Sequence, residues 1–367
     1  MALLKKCIVS LQELGLILYR YIAREILTST LAVGSVLMLV IVGSRFARFL
    51  DRVASGRISL DILGYLTLFY TPYALQLIIP LSFVLALMLT FGRLYMESEM
   101  SVIQSSGVSQ RQLMKLVLIL ALGVAAFTAF SSLYLTPKAK FASELLMQEQ
   151  QEKTGFESIA PGQFTKLNKQ TVFVERQSDD KTLLERVFIA ESDASQPTLA
   201  LAERTYQQIN DVSRSRFLIL EDGWRYELPD IDLTSNFLEF DRYALRVGVY
   251  TPPSVREQVA MLPLNKLLVD KSLPAQVELQ WRLGLPALVL VMVFIALPLT
   301  KVNPRQGRFM AILPVLLLEL IFLGALMSLQ GVINKGQWPI WPGMWLVHAG
   351  FLLLGLLLCW RRGVFQK

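Results

Sequence analysis

Cysteine is nearly missing from this chain: Cys7 and Cys359, one near each end of 367 residues, give no basis for a disulfide framework or a thiolate metal site. The single histidine, His348, falls inside an apolar run and cannot build a metal site alone; a packed or hydrogen-bonded ring is the plain reading. No G-x-x-x-x-G-K-S/T run occurs, so no P-loop is available for hydrolysing ATP. Acidic residues are the scarcer sign, 29 against 36 basic ones. The basic excess clusters at the ends of apolar runs, where it sets membrane topology and does not signal nucleic-acid binding. No metal, cofactor or nucleic-acid partner is expected. What the chain does have is apolar bulk: 53% of residues are hydrophobic and the mean hydropathy is +0.47. Several uncharged runs approach the roughly 20 residues that cross a bilayer.

Met1–Leu18 carries Lys5 and Lys6 before an apolar patch, but Glu13 interrupts it and no small-residue cleavage site follows. It reads as a lead-in and not as a signal peptide. Span one is expected over Ile26–Ser44, span two over Ile62–Phe91 and span three over Leu113–Leu135. Asp61 is placed to cap span two, and Pro72 and Pro80 to kink it around the polar Gln76. Three more runs close the chain, Leu283–Thr300, Phe309–Val332 and Met344–Trp360. Trp338, Trp341, Trp345 and Trp360 flank the last one as an aromatic belt would.

Between Pro137 and about Lys271 the composition changes. An amphipathic helix, Lys138–Lys153, is followed by strand patterns at Gln170–Arg176, Arg186–Glu191, Thr198–Tyr206, Phe217–Leu220, Trp224–Leu228 and Phe237–Val247. Asp222-Gly223 between two of them reads as a hairpin turn. Val172, Val174, Phe217 and Ile219 alternate with polar neighbours, as half-buried antiparallel strands do. The expected class is a membrane α-helical protein with six transmembrane helices and an inserted all-β domain, a sandwich or open jelly roll. The expected division is 1–136, 137–273 and 274–367. The β segment has no His, no Cys and no carboxylates clustered at ligand spacing, so no catalytic site is expected there.

Basic residues in the short segments fix the orientation. Thirteen lie on the side of the two termini, the 93–115 island and the 301–308 loop; Arg45, Arg48, Arg52, Arg57 and Lys335 lie opposite. Both termini are therefore expected in the cytoplasm and the β domain outside. The exceptions carry information. Arg45, Arg48 and Arg52 recur at i, i+3 and i+7 and form a stripe along about 10 Å of helix. Membrane helices turn such a face to a wet cavity or an anionic ligand, and the guanidinium fork suits phosphate. Snorkelling to lipid phosphates is the plainer alternative. Glu319, eleven residues into span five, is an unexplained intramembrane charge that could line a cavity, pair with an arginine or be protonated.

Gly92–Ser109 is a polar island between two long apolar runs. Met96, Met100 and Ile103 at i, i+4 and i+7 predict a two-turn helix over about 96–105, with Glu97 and Glu99 off the stripe. Gly107 ends it, and Ser109 with Gln112 begins the next helix as a capping box. A rigid helix of this kind can carry force from a soluble partner; an amphipathic loop in the headgroups is the alternative.

Several stretches taken together resemble the lipopolysaccharide-export permease family (YjgP/YjgQ), nearer its F-type subunit than its G-type. They are Arg20-Tyr21 with Arg24-Glu25, Leu94-Tyr95-Met96-Glu97-Ser98-Glu99, Gly162-Gln163-Phe164, Glu278-Leu279-Gln280-Trp281-Arg282 and Val302-Asn303-Pro304-Arg305-Gln306-Gly307-Arg308. The resemblance runs from about Leu18 to Trp360. It implies an inner-membrane ABC permease with six spans and a periplasmic β-jelly-roll. It implies too that an LptB ATPase dimer, which binds ATP and Mg, drives the chain, and that LptG is the sister permease. LptC and a periplasmic bridge would receive lipopolysaccharide through the jelly roll. Glu97–Ser105 becomes a coupling helix in the ATPase groove, with Glu99 at the acidic contact position and Met100 and Ile103 in the contact helix. Arg45 and Arg48 fall where the family faces lipid A phosphates; Arg52 joins them on helical periodicity alone. On the residues alone, other readings stay open: an ATPase-independent secondary carrier using Glu319, an ABC permease for another phosphorylated lipid, or an envelope scaffold.

Overall fold

The computed structural model describes residues 2–54, 58–153, 161–167, 170–178, 183–191, 198–210, 215–227, 236–249, 255–301 and 309–364. Arg57 and the 302–308 motif, both used above, lie outside the described residues, as does Lys367. The chain divides into two compact units, Met1–Phe46 with Leu66–Ser143 and Ser254–Lys367, and Ala47–Tyr65 with Glu144–Pro253.

The helices are α1 (Ala2–Ala54), α2 (Leu63–Met96), α3 (Glu99–Ser105), α4 (Gln110–Phe130), α5 (Thr136–Lys153), α6 (Val255–Met261), α7 (Leu264–Val269), α8 (Leu273–Leu299), α9 (Phe309–Asn334) and α10 (Trp345–Arg361). Long runs of Leu, Val, Ile and Ala become helices here because a backbone in hydrocarbon must satisfy its own polar groups. Among the described residues five helical stretches are long and apolar enough to cross a membrane: Ile17–Ala54, Leu60–Met96, Gln110–Gln148, Leu273–Leu299 and Ile312–Asn334. α10 is apolar but has 17 residues.

Three boundaries differ from expectation. Ser59, not Asp61, caps the turn before α2: its Oγ accepts the Asp61 N–H at 3.4 Å and a 3-10 turn, Leu60–Ile62, comes first. α2 continues to Met96 through both prolines. Span three does not stop at Leu135: a π-turn, Ser131–Leu135, carries it into α5. Pro137 sits in the first turn of α5, where the widened π-turn accommodates its missing N–H.

α8 is the axis of the first unit. One face gives Val289, Val293 and Leu297 to a cluster with Ile22, Phe83, Leu87 and Leu113. Another gives Trp281, Leu285 and Met292 to a cluster with Val84, Phe322 and Leu326. α10 comes so close that a Cβ on Gly355 would lie 2.8 Å from Phe294 Cβ. Burial is uneven: 67% of the apolar window is buried in α2 and α8, 22% in α9 and 6% in α1. Most of the apolar window of α1 and of α9 is therefore left uncovered by the rest of this chain.

The second unit holds one antiparallel sheet in chain order, β1 (Phe164–Leu167), β2 (Gln170–Gln177), β3 (Leu183–Glu191), β4 (Thr198–Asn210), β5 (Ser215–Glu227) and β6 (Asn236–Val249). Where a sandwich or jelly roll was expected, the described strands make a six-stranded meander. The expected hairpin at Asp222-Gly223 is absent: β5 runs straight through it. Gly223 is there because a Cβ would strike the Leu201 carbonyl of β4 and the Phe240 ring of β6. Val172 and Val174 are core residues as the alternation predicts; β5 gives Leu218 and Leu220 to the same core, and Ile219, also buried, lies outside that cluster. In an unbroken apolar run such as Phe217–Leu220 the pattern does not choose a face.

A seam crosses this sheet. Core positions run 184, 187, 189 in β3; 200, 202 and, with buried Thr205, 205 in β4; and 240, 243, 245 in β6. Each strand thus takes one step of three where two is normal, and the inward parity switches there. The residues at the switch are all charged: Glu175-Arg176, Glu185-Arg186, Glu203-Arg204, Glu221-Asp222 and Asp241-Arg242. Arg186 and Asp222 adopt positive φ, 53° each. Pairing sets Arg176 opposite Glu185, Glu185 opposite Arg204, Arg204 opposite Glu221 and Glu221 opposite Arg242. Arg186–Glu175 at 2.9 Å closes a pair within the second row, and Arg204–Asp222 at 3.1 Å ties the two rows of the seam.

Candidate functional site

α2 ends at Met96 because Ser98 takes a left-handed conformation, φ 61°. The new helix α3 starts at Glu99 and closes through Ser106 N–H to Val102 C=O, 3.0 Å, and Gly107 N–H to Gln104 C=O, 3.0 Å. Gly107, φ 92°, turns the chain, and the capping box of Ser109 and Gln112 opens α4. Met96 thus belongs to the preceding helix and is 43% exposed. Met100 and Ile103 face inward, 1% and 6% exposed, into the cluster with Ile22, Ile26, Phe91 and Leu94. They seat α3 from behind. Its open face consists of Ser101, Val102 at 68% exposure, Gln104 and Ser105, with Glu97 beside it.

A polar network fixes the near end of α3. Arg93 pairs with Glu25 of α1 at 3.2 Å and with Glu97 at 3.6 Å, and donates to the Tyr21 hydroxyl at 2.9 Å. Tyr21 in turn donates to Glu99 at 3.3 Å. Three helices are thereby linked, α2 to α1 through the Arg93 guanidinium and α1 to α3 through the Tyr21 hydroxyl. At the far end the Tyr95 hydroxyl meets the Gln104 side chain. Arg93 entered the sequence reading only as a topology marker, and Tyr21 and Glu25 only as motif residues. Their convergence joins positions 72 and 78 residues apart, which no local pattern exposes.

α1 remains helical through Ala54 and so carries all three stripe arginines. Arg45 is half-buried in the first unit, its guanidinium 4.9 Å from the centre of the Tyr70 ring. Arg48 and Arg52 are exposed in the second unit, and Arg52 reaches over Phe49 at 5.9 Å. Glu319, on α9, is 3% exposed. His348 is held between the carbonyls of Met344 and Gly284, at 3.0 and 2.9 Å, a packed role as expected. No group of three or more metal-ligating side chains occurs among the described residues.

The model of the lipopolysaccharide export system permease LptF/LptG family matches residues 20–361, nearly the whole chain. The chain belongs to this family. Among curated proteins, the lipopolysaccharide export system permease protein LptF of Escherichia coli K12 is 30% identical over 350 residues, covering 94% of each chain. The LptF of Shigella flexneri aligns with the same identity and coverage. The match takes in every span, the α3 island and the β sheet.

Proposed function

We propose that this chain is an LptF-type permease subunit that extracts lipopolysaccharide from the inner membrane for delivery toward the outer membrane. Family membership over residues 20–361 is the observation that carries the reading, and the construction of α3 supports it. Six spans, with α10 as the sixth, put both termini in the cytoplasm and the β unit in the periplasm. That placement follows from the basic-residue bias. The membrane part then falls into an N-terminal half, 1–136, and a C-terminal half, 274–367, around the inserted β segment.

Removing a lipid with several acyl chains costs about 0.8 kcal/mol for each CH₂ taken from hydrocarbon. A permease needs an external motor for that, and a separate ABC ATPase (LptB) supplies it. α3 is built to receive the push: buried Met100 and Ile103 make it stiff, the Arg93 network transmits its movement to α1 and α2, and Glu97, Glu99 and Val102 meet the ATPase. The weakly buried α1 and α9 are the surfaces for the sister permease LptG and the lipid. The β sheet passes lipid to LptC and the periplasmic bridge. Arg45, Arg48 and Arg52 bind the lipid A phosphates.

Affinity purification of the chain in mild detergent, with mass spectrometry of what accompanies it, tests the assembly. An ABC ATPase, a second permease of the family and lipopolysaccharide are expected; recovery of the chain alone would overturn the proposal. The arginines have their own test. Arg45→Glu with Arg48→Glu is expected to lower photocrosslinking to lipopolysaccharide several-fold without loss of the ATPase. Unchanged crosslinking returns the stripe to snorkelling.

A further inference from the structure

Inside the helical unit, α2, α8 and α9 line a cavity of about 30 Å³, partly open beside the half-exposed Leu320, with Gln76, Pro80, Leu285, Leu288, Glu319 and Leu323 around it. One of its polar side-chain atoms is unmatched by protein. Glu319 Oε2 is buried and has no hydrogen-bond partner among the described residues. Gln76, 2% exposed, has its side-chain oxygen engaged by the Thr136 hydroxyl at 3.1 Å. Its backbone carbonyl has lost the usual helical donor, because the residue four positions on is Pro80, which has no N–H. Oε2 forms no hydrogen bond with that carbonyl or with any other described group. A water molecule carries two donors, and the pocket, apolar apart from the Glu319 and Gln76 groups, has room for about two waters.

We propose that this cavity is an intramembrane water site in which bound water bridges Glu319 of α9 to the Gln76 carbonyl at the proline kink of α2. The kink and the carboxylate are two halves of one device: Pro80 frees an acceptor, Glu319 supplies the second, and water joins them. The tie adds a polar link to the apolar seam of α9, Val315, Phe322, Leu326 and Ile333, which packs into the bundle. A water bridge is also exchangeable, so α9 can part from α2 and return without exposing a bare carboxylate to hydrocarbon, which a direct apolar contact would not require and an unhydrated acid could not do.

X-ray radiolysis of the purified permease complex makes hydroxyl radicals from bound as well as bulk water. Leu285 and Leu288 are 1% and 2% exposed, so only water in the cavity can label them. They are expected to be oxidised several-fold faster than the equally buried Leu87 and Leu94, and to fall to that background in Glu319→Leu. Pro80→Ala, which restores the missing N–H, is expected to lower the labelling as well and carries the test should Glu319→Leu not fold. Labelling of Leu285 and Leu288 at background in the native protein, or labelling that persists in both variants, overturns the water site.

Discussion

Glu99→Lys is expected to strip the ATPase from the purified complex while leaving the permease folded. Glu99 accepts from Tyr21, and Tyr21 accepts from Arg93, so the carboxylate is held in place at the first residue of α3. A lysine there breaks the link and sets a second cation beside Arg93. If the carboxylate is the proposed partner contact, reversing its charge costs about 2–5 kcal/mol of association. The lower figure alone weakens binding by about 30-fold. The fold is spared because the contact is solvent-accessible, where such pairs contribute about 1 kcal/mol or less. Co-purification and detergent melting on one sample separate the two effects. Glu99→Gln, which keeps an acceptor for Tyr21, is expected to lie between native and Glu99→Lys. Full retention of the ATPase by Glu99→Lys would sink the assignment of α3.

Arg282→Met carries the largest expected loss of stability. Arg282 is 2% exposed and pairs with Glu278 at 2.9 Å. It also donates to the carbonyls of Leu262 at 2.9 Å and Ala260 at 3.0 Å, closing the end of α6 against α8. Methionine fills much of the same volume but leaves a buried carboxylate and carbonyls without donors, a change that costs about 3–5 kcal/mol. Against a typical total of about 5–15 kcal/mol that is enough to deplete the folded protein. Expression in the membrane and the detergent melting temperature should both drop. Adding Glu278→Leu should recover part of the loss, because the uncompensated charge goes with it. A native melting temperature in Arg282→Met would show that the pair is not structural.

The spans were legible because long uncharged runs leave the backbone few alternatives; their ends were not, since Met96 and Pro137 sit in helices that local signals would have stopped sooner. The island was half legible. Its stripe announces a helix, but a stripe does not say what covers it, and Met100 and Ile103 turn out to be covered by the protein's own Ile22, Phe91 and Leu94. The strands were legible and their facing less so. Asp222-Gly223 carries a turn signature, and only the neighbouring strands, Leu201 on one side and Phe240 on the other, reveal that it lies in the middle of β5. Arg93 was visible as a charge and invisible as a hub.

The charged seam has a further consequence for how the sheet finds its alignment. A meander of long strands joined in sequence is exposed to slippage by one position, the error that turns every side chain over. In the native alignment one row of the seam, Arg176, Glu185, Arg204, Glu221 and Arg242, alternates in sign from β2 to β6. Slide neighbouring strands by one and Arg176 meets Arg186, Glu185 meets Glu203, and Glu221 meets Asp241. Like charges directly opposite are destabilising where unlike ones contribute roughly 0.2–1 kcal/mol. The seam thus works as a proofreading mark written across the sheet, penalising misaligned forms at several strands at once while the apolar residues on either side supply the cohesion.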